Sequence, residues 1–542
     1  MRLRIIIVAL AVCLGGAIAA SAQQTGEITG KVTDTSGGVV PGVNVTLSSP
    51  VLLQPVTAIT TATGTYRFPQ LAIGVYTVAF ELAGFKTMVR SGIRLEIGFT
   101  AQVNTVLEVS TVQETVTVSG ATPVVDLRDT SKTNRFTQEA LQSIPSARDP
   151  WVVIEQSASI AMDRQNVGGS ASGQQSNFVA RGAAFREQKW NLDGVDITDM
   201  SATGGSPGYF DFDSFEEMQV TAGGNDAGMQ TPGVAVNIVT KSGTDKLRGS
   251  MRGYLTSDKF ESNNVTDAIR ALGASSGNPI QDIKDYGFEV GGPLKKGRAW
   301  FWAAVGRQDV KVGINNFYLR TAACTPVAAS PLNYSIEDVR ACLNTDLTTL
   351  TNYNLKVGVE PFKKNRFSWY NNFAGKVRNA RGADDLHPIE STNRQMGVPS
   401  RYGAWGWKSG LNGTWKASDQ HIFSDRLMSE VTWAHVGNNF SMAYHDDSLA
   451  TVQAMYEIAT AAYARSYSQN IYVRPTNSVD AVLNYFRPGW LGGDHSIKAG
   501  YKWRSDEAYS ETTWAATSRR ASTAAAWPTS RRRTAPASTA TR

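Results

Sequence analysis

The feature that most constrains the fold is a run of short, alternating segments between residues 245 and 515. Each segment has about ten residues, places apolar and polar side chains at alternate positions and ends in aromatics, as at 298–310, 366–377 and 495–506. A period of two indicates β-strands, and strands of this length with terminal aromatics are typical of transmembrane β-barrels. No run of 18 apolar residues follows residue 22, so no membrane-spanning helix is predicted. We therefore predict a mainly β chain with an antiparallel transmembrane barrel, which satisfies every backbone group in lipid.

The connections between these segments support the same prediction. Short polar turns are predicted at 295–298, 363–365, 418–420 and 492–494. Long irregular stretches are predicted near 257–282, 311–348, 377–398 and 437–470. Alternation of short and long connections is produced when strands cross a membrane between tight inner turns and long outer loops.

The number of strand segments is smaller than a large closed barrel requires. We count about ten, whereas the plugged barrels of outer-membrane transporters have about 22 strands. Residues 245–515 are therefore expected to form the N-terminal part of a C-terminally truncated barrel. Residues 516–542 are rich in Ala, Ser, Thr and Arg, and Glu, Asp, Lys and Gly vanish near Thr517. This change favours translation in a wrong reading frame over a genuine low-complexity tail.

The N-terminus predicts export, and the charge balance argues against a nucleic-acid partner. Arg2 and Arg4 precede the short apolar core 5–18, so 1–22 reads as a signal peptide cleaved between Ala22 and Gln23. The net charge of +6 depends on six Arg in the last 26 residues. Without that tail and the signal peptide the body is slightly acidic, which gives no reason to expect nucleic-acid binding.

Residues 23–112 predict an Ig-like β-sandwich, because short alternating runs are separated by turn signals. The segments Gly30–Val32, Pro41–Val43, Thr63–Phe68 and Gly74–Val78 resemble the carboxypeptidase regulatory-like domain. The resemblance implies a non-catalytic sandwich that occurs on many secreted proteins. It does not by itself identify a function.

Residues 121–244 predict an α+β domain with helices at 137–144 and 148–157. The segments 179–198 and 216–243 resemble the plug domain of TonB-dependent receptors. The matching residues are Arg181, Gly182, Asp193, Gly194, Asn237, Thr240, Lys241 and Gly243. Asp193-Gly194 predicts a tight hairpin. Val234, Val236 and Ile238 alternate as in a buried strand.

Residues 286–301 are similar to the opening barrel hairpin of Oar-type members of that family. The resemblance implies a TonB-dependent transporter in the bacterial outer membrane, surrounded by its lipids, with the N-terminal domain in the periplasm. It implies active uptake of a ligand too large for porins, such as a glycan, peptide or metal chelate, without catalysis or cofactor. The regulatory-like domain favours the glycan- or peptide-handling branches, so carbohydrate binding is expected. The alternative is a structural or adhesive surface protein anchored by the barrel.

The linker 113–120 is similar to the TonB box, the short extended segment through which the TonB complex engages such transporters. The matching residues, here called the box segment, are Glu114, Thr115, Val116, Thr117 and Val118. A β-prone segment beside a flexible joint can pair with the edge strand of a partner. The alternative is a last strand of the sandwich or a plain linker.

Three further groups of residues were weighed. His387 and Glu390 have the His-x-x-Glu spacing of metallocarboxypeptidases, but they lie in a predicted loop and have no third ligand, so no metal site is predicted. Asp211, Asp213 and Glu216-Glu217 suit Ca²⁺, although a solvated acidic turn is favoured. Cys324 and Cys342 are predicted to form a disulfide in an oxidising envelope, rather than to remain free thiols.

A half-barrel would leave a long unpaired strand edge in lipid, where each unsatisfied backbone group costs several kcal/mol. We therefore expect the product as written not to be a competent transporter.

Overall fold

A computed structural model describes most of residues 25–516. The residues that it does not describe within this range are 53–54, 97, 111–114, 120–130, 167, 207, 226–230, 363, 398–412, 425, 438 and 491–492. Strands dominate the described residues, and the predicted mainly β fold class is confirmed. None of the described helices combines the length and hydrophobicity that a membrane span requires.

The first unit is a β-sandwich of nine strands. They are β1 (Gly26–Asp34), β2 (Asn44–Ser48), β3 (Val56–Ile59), β4 (Thr65–Leu71), β5 (Gly74–Glu81), β6 (Thr87–Leu95), β7 (Thr100–Gln102), β8 (Thr105–Leu107) and β9 (Thr115–Ser119). One sheet has the order β4-β1-β7, with β8 also on β1, and the other has the order β3-β2-β5-β6-β9. Alternate apolar residues of both sheets fill the space between them, including Ile28, Val78 and Phe80.

The second unit is the plug, which has two short helices and two sheets. Its strands are β10 (Thr133–Thr137), β11 (Ile160–Met162), β12 (Phe178–Ala180), β13 (Lys189–Leu192), β14 (Val195–Asp196), β15 (Phe215–Thr221) and β16 (Ala235–Thr240). The helices are α1 (Gln138–Ser143) and α2 (Pro150–Glu155), with 3-10 turns at Phe185–Glu187 and Phe212–Ser214. The main sheet has the order β10-β15-β16-β13-β14, and β11 pairs with β12.

The helices begin where the sequence supplies caps. The Thr137 hydroxyl accepts from the backbone N–H of Ala140, and the Asp149 carboxylate accepts from that of Trp151 at 3.0 Å. Both helices lie within the predicted ranges. Trp151 and Trp190 pack together at the centre of the plug, with ring centroids 5.7 Å apart.

Strand β16 is buried along its whole length, which confirms the buried strand that its sequence predicted. Both of its faces are covered. Val239, on one of them, packs against Ile73 of the sandwich.

The third unit is a curved sheet that forms the barrel wall. Its strands are β17 (Arg248–Ser257), β18 (Ile280–Lys295), β19 (Ala299–Tyr318), β20 (Leu343–Phe362), β21 (Asn365–Arg378), β22 (Arg394–Met396), β23 (Gly413–Ser424), β24 (Leu427–Gly437), β25 (Phe440–Ala443), β26 (Met455–Glu457), β27 (Ala462–Ala464), β28 (Ser468–Val473), β29 (Pro475–Trp490), β30 (Gly493–Asp506) and β31 (Tyr509–Trp514). Short helices lie in the connections: α3 (Asp267–Ala271), α4 (Thr325–Ala329) and α5 (Ile336–Ala341), with 3-10 turns at Asp258–Phe260, Pro331–Asn333, Ile389–Ser391 and Asp447–Thr451.

Nine strands of the described wall are ten or more residues long, and each pairs antiparallel with the next in the order β17-β18-β19-β20-β21-β23-β24-β29-β30. The short strands β22, β25, β28 and β31 extend the sheet beyond the far end of β21. In the part of the chain that the structure describes, β17 and β30 do not pair with each other, so the sheet is open.

The two faces of the wall differ in polarity as a membrane barrel requires. On β18, Asp285 and Glu289 are buried on the inner face, while Tyr286 and Phe288 on the outer face are about half exposed. On β30, Tyr501 and Trp503 point outwards in the same way. Polar side chains inside and apolar side chains outside are the reverse of a water-soluble barrel.

Short turns lie at one end of the wall and long loops at the other. Three of the predicted turns, at 295–298, 363–365 and 492–494, join consecutive long strands. The turn predicted at 418–420 is wrong, because β23 continues to Ser424. Its polar residues have partners across the strands: the Ser418 and Ser368 hydroxyls are 2.6 Å apart, and Asn365 donates to Asp419 at 2.8 Å.

Candidate functional site at the boundary of plug and barrel

Buried charged residues make many of the contacts between the plug and the barrel wall, beside an apolar patch that includes Leu350, Tyr370, Ala434 and Val436 of the wall. Each charged contact joins a plug side chain or carbonyl to a Lys, Arg, Asp or Glu of the wall. Because a charge removed from water is costly unless it is paired and hydrogen-bonded, these contacts fix where the plug can sit.

The predicted Asp193-Gly194 turn forms one of these contacts. Both residues have positive φ, +47° and +75°, and they join β13 to β14. The Asp193 carboxylate accepts from the Thr240 backbone N–H at 3.1 Å and from the Thr240 hydroxyl at 2.5 Å. Two wall lysines then reach this turn: Lys356 Nζ lies 3.0 Å from Asp193 Oδ1, and Lys416 Nζ donates to the Asp193 carbonyl at 2.8 Å.

Lys241 and Gly243 form the next contact along the chain. Lys241 Nζ lies 2.7 Å from Glu289 Oε1 of β18, and both side chains are almost fully buried. A Cβ on Gly243 would lie 2.1 Å from the Phe301 carbonyl oxygen, so only glycine allows the chain to pass this close to β19.

The other matching residues have different surroundings. Asn237 is buried on β16, in register with Asn191 on one side and Gln219 on the other. Arg181 and Gly182 form an exposed turn with positive φ of 51° and 79°. The structure thus brings Asp193, Thr240, Lys241 and Gly243 to the wall and leaves Arg181 and Gly182 at the plug surface.

An acidic cluster faces β17 and β18. Arg252 of β17 binds Asp211 at 2.7 Å and Asp213 at 2.9 Å, and it also lies 3.1 Å from Asp285 of β18. Arg148 of the plug pairs with Asp213 and, at 3.0 Å, with Asp285. Burial raises the pKa of Asp211, Arg252 opposes the rise, and the neighbouring aspartates add to it.

The expectation of a solvated acidic turn is therefore wrong, and the oxygens that suggested Ca²⁺ are bound by two arginines. Glu216 and Glu217 lie apart from this cluster, on β15. Among the described residues, no group of three or more His, Cys, Asp or Glu side chains is arranged to hold a metal ion.

Two further arginines bind the plug, one from the connection before β29 and one from β30. Arg474 lies 2.9 Å from Asp199, and Arg504 lies 2.5 Å from Asp196. Burial opposes ionisation of Asp196, but Arg504 and Lys189 outweigh it and lower the pKa of Asp196 to about 2. Asp196 is therefore ionised at any physiological pH.

The sequence reasoning missed these barrel residues, namely Arg252, Lys356, Lys416, Arg474 and Arg504. A signal was present for four of them, since each stands at an inward position in an alternating strand, where a membrane barrel places polar groups. The plug partner of each cannot be read from the sequence, because the pairs are separated by 39 to 308 positions.

A large cavity, here called the outer cavity, lies between the plug and the long-loop end of the wall. Its volume is about 740 Å³. Its lining includes five basic and five aromatic side chains: Arg164, Lys376, Arg378, Arg381, Arg474, Tyr209, Phe210, Phe373, Phe440 and Tyr472. The volume falls in the range of pockets that bind small molecules, about 300–1,000 Å³.

The box segment lies at the opposite, short-turn end. Glu114 is outside the described residues, and Thr115–Ser119 forms β9, the outermost strand of a sandwich sheet. It pairs in parallel with β6, from Thr87 with Thr115 to Ser91 with Ser119. A last strand of the sandwich is one of the two alternatives to a TonB box that the sequence left open. The role of the segment as a TonB box stays a prediction.

The remaining candidates lie away from this boundary. Cys324 and Cys342 are joined by a disulfide, with Cα atoms 5.4 Å apart, in the loop between β19 and β20. His387 Nδ1 lies 2.9 Å from Asp384, and its ring stacks on Tyr463. Ala22 and Gln23 lie outside the described residues, so cleavage there stays a prediction.

Comparison with known proteins identifies two domains. Residues 27–108 match the carboxypeptidase regulatory-like domain, and residues 239–329 match an outer membrane beta barrel domain. The TonB-dependent transporter Oar of Myxococcus xanthus is 30% identical over 292 residues, which cover 52% of this chain and 27% of that protein.

Solved structures with a similar course of the chain include receptors of two bacteria. The siderophore receptor PirA of Acinetobacter baumannii is 13% identical, with a TM-score of 0.44, covering 69% of this chain and 48% of that one. A mutant of the ferric enterobactin receptor PfeA of Pseudomonas aeruginosa is 11% identical, with a TM-score of 0.45, covering 70% and 50%. Likeness at this level says nothing about a ligand.

The chain is thus a homologue of the TonB-dependent transporter Oar and contains an outer-membrane barrel domain, as the sequence predicted. Its location is the outer membrane. The chain spans about a quarter of the curated relative that it matches.

Proposed function

We propose, from this homology, that the chain supplies the plug and the first barrel strands of a transporter that acts in TonB-dependent uptake of a ligand too large for porins, a glycan, a peptide or a metal chelate. The plug fills the barrel, the ligand binds at the long-loop end, and force applied from the periplasm shifts the plug. No bond in the ligand is made or broken, so the chain acts as a transporter and not as an enzyme.

The observation that carries this proposal is the polar boundary between plug and wall. An apolar boundary would expose a large apolar surface to water whenever the plug moved, at a cost of about 25 cal/mol per Å². The paired groups seen here can instead be hydrated one by one as water enters. Asp193 with Lys356, and Lys241 with Glu289, are such pairs.

The sandwich lies at the side from which the force would come. Ile73 packs on Val239 of the plug, and the exposed pair Arg94–Glu139 joins β6 to α1 at 3.3 Å. Any displacement of the plug towards the periplasm therefore requires the sandwich to move as well.

The box segment supplies a surface for a TonB partner. Strand β9 ends its sheet, so its outer edge is placed to accept a strand from another protein by β-augmentation. Because β9 immediately precedes the plug in the chain, a partner paired there is connected to the plug through the backbone.

A binding experiment tests this proposal directly. The purified chain in detergent is titrated with the periplasmic domain of TonB from the host bacterium. Replacing Val116 by Pro removes a backbone donor from β9 and should abolish binding, whereas Val116→Thr keeps a β-branched residue and should preserve it. Equal binding by the Pro variant, or no binding by the unaltered chain, would overturn the proposal.

A further inference from the structure

Basic side chains outnumber acidic ones among the described residues that line the outer cavity. Five basic side chains line it, and Asp199 is the one acidic residue in this described lining. Three of the basic residues have carboxylate partners: Arg164 with Asp163, Arg378 with Asp346, and Arg474 with Asp199. No described carboxylate lies within ion-pair distance of Lys376 or Arg381.

The contacts of these two basic side chains are with neutral groups. Lys376 Nζ donates to Gln174 Oε1 and to the Tyr209 hydroxyl, both at 3.0 Å. The same Gln174 oxygen also accepts from Arg378 at 2.9 Å, so one amide oxygen is shared by two cations. Arg381 donates to the Met442 sulfur at 3.3 Å, and a thioether is a weak acceptor.

Positive charge that is concentrated in a partly enclosed space attracts anions more strongly than the same charge on an open surface. Arginine also binds carboxylates through two parallel hydrogen bonds. Aromatic rings on the same lining, including Phe373 and Tyr472, offer flat apolar surfaces for the body of a ligand.

We infer that the outer cavity binds a ligand with several carboxylate groups, and that Lys376 and Arg381 are the residues that select for its charge. This deepens the proposed function and rests on it, because it names the chemical class of the transported ligand. Two sources share this chemistry, acidic sugar oligomers and acidic peptides.

The test is isothermal titration calorimetry of the purified full chain in detergent with four probes of similar size. A galacturonate trimer and a glutamate trimer represent the two sources, and maltotriose and a lysine trimer are the neutral and cationic controls. At least one acidic probe should bind, and its affinity should weaken as salt increases. The acidic probe that binds more tightly identifies the source.

Three variants link this binding to the two cations. Arg381→Gln, at an exposed position, and Lys376→Gln should each weaken the acidic probe by about tenfold, the usual effect of losing a hydrogen bond to a charged group. Arg320→Gln removes one positive charge from an exposed loop position outside the cavity and should leave affinity unchanged.

The inference is overturned if maltotriose or the lysine trimer binds as tightly as the acidic probes, if no acidic probe binds, or if Arg381→Gln binds like the unaltered chain. The TonB titration described above does not involve this cavity. A chain that binds TonB but no acidic probe therefore refutes only the inference, and the reverse result refutes only the proposed function.

Discussion

The sandwich and the boundary between plug and barrel wall are both buried, but they are held together by different forces. In the sandwich, Val78 and Phe80 are completely buried among apolar neighbours, and the Tyr66 hydroxyl donates to the Val103 carbonyl at 2.7 Å. At the plug boundary, Arg252 joins Asp211, Asp213 and Asp285. The sandwich core excludes water through apolar contacts. At the plug boundary, each charged group has a protein partner whose place water could take.

This difference shows which boundary is suited to opening. Burial of apolar surface is the dominant favourable term in folding, and it depends little on pH or salt. Replacing buried ion pairs by apolar residues often leaves stability unchanged or increases it, so such pairs are weak evidence of selection for stability alone. A boundary of paired charges holds the plug in one position. When the plug moves, water can replace the lost partner of each charged group.

The largest effect is expected in the sandwich. Phe80→Ala removes a fully buried ring whose centroid lies 5.4 Å from that of Tyr66. We expect the sandwich to lose about 3–5 kcal/mol of stability, because the cavity left behind cannot close completely. Hydrogen exchange of the β1 and β5 amides measures this loss in the intact chain.

Val106→Ala is the matched control, because Val106 is 48% exposed on the same domain and should lose less than about 0.5 kcal/mol. Plug amides should keep their protection in both variants. Faster exchange throughout the plug in Phe80→Ala would show that the two regions are not energetically separate.

A somewhat smaller effect is expected at the plug boundary. Arg252→Gln leaves Asp213 and Asp285 with Arg148 and removes the arginine that pairs with Asp211. We expect a loss of about 3 kcal/mol in the protection of the plug amides next to this cluster, the usual result of removing one partner of a buried pair. Hydrogen exchange of Phe215–Thr221, read together with the sandwich amides, measures it.

Arg307→Gln is the control for this variant, since Arg307 is an exposed arginine on β19 that pairs with Asp309 at 3.0 Å. Such a pair contributes about 0–1 kcal/mol. If both variants behaved alike, the buried charges would not hold the plug, and the contrast with the sandwich would fail.

The smallest effect expected here depends on pH. Burial raises the pKa of Asp149, the cap of α2, from 3.8 to about 7, against the hydrogen bonds from Trp151 and Asn166. The folded plug therefore holds a proton that the unfolded plug releases, and plug stability should fall as pH rises from about 4 to about 7. A pKa unit corresponds to about 1.4 kcal/mol, and at pH 7 the folded carboxyl is already about half ionised, so between pH 5 and pH 7 we expect a change on the order of 2 kcal/mol.

Asp149→Asn keeps a capping oxygen but cannot ionise, so it should flatten this slope of plug stability against pH. Hydrogen exchange of the plug amides at pH 5 and pH 7, in both proteins, measures the difference. A slope that persists in the Asn variant would assign the pH dependence to another group, such as Glu216, whose pKa burial also raises.

The elements of the fold that follow from local pattern could be predicted from the sequence. The period of two located the long barrel strands, Pro150 after Asp149 marked the start of a helix, and Asp193-Gly194 marked a hairpin. The wrong turn prediction at 418–420 also came from local pattern. Consecutive polar residues indicate a turn in a water-soluble protein, whereas Ser418 lies on a strand, and the neighbouring strand supplies its hydrogen-bond partner.

The candidate site could be predicted only in part. The plug residues that carry the family pattern were identified, but their partners Lys356 and Glu289 were not, since pairing across the barrel depends on the three-dimensional fit of the plug. The prediction that Asp211 and Asp213 form a solvated turn was wrong for the same reason. Their arginine partner Arg252 comes from β17, about 40 positions further along the chain.

The parallel pairing of β9 with β6 also determines how this joint would respond to a pull. The chain runs from the end of β9 towards the plug, so tension along the strand direction loads all five residue pairs in shear at the same moment. Tension across the strand would instead separate the pairs in succession, each under the full load. The same five residue pairs therefore resist a force along the strands strongly and a force across the strands weakly. The direction of the applied force determines whether the sandwich moves with the plug or separates from it.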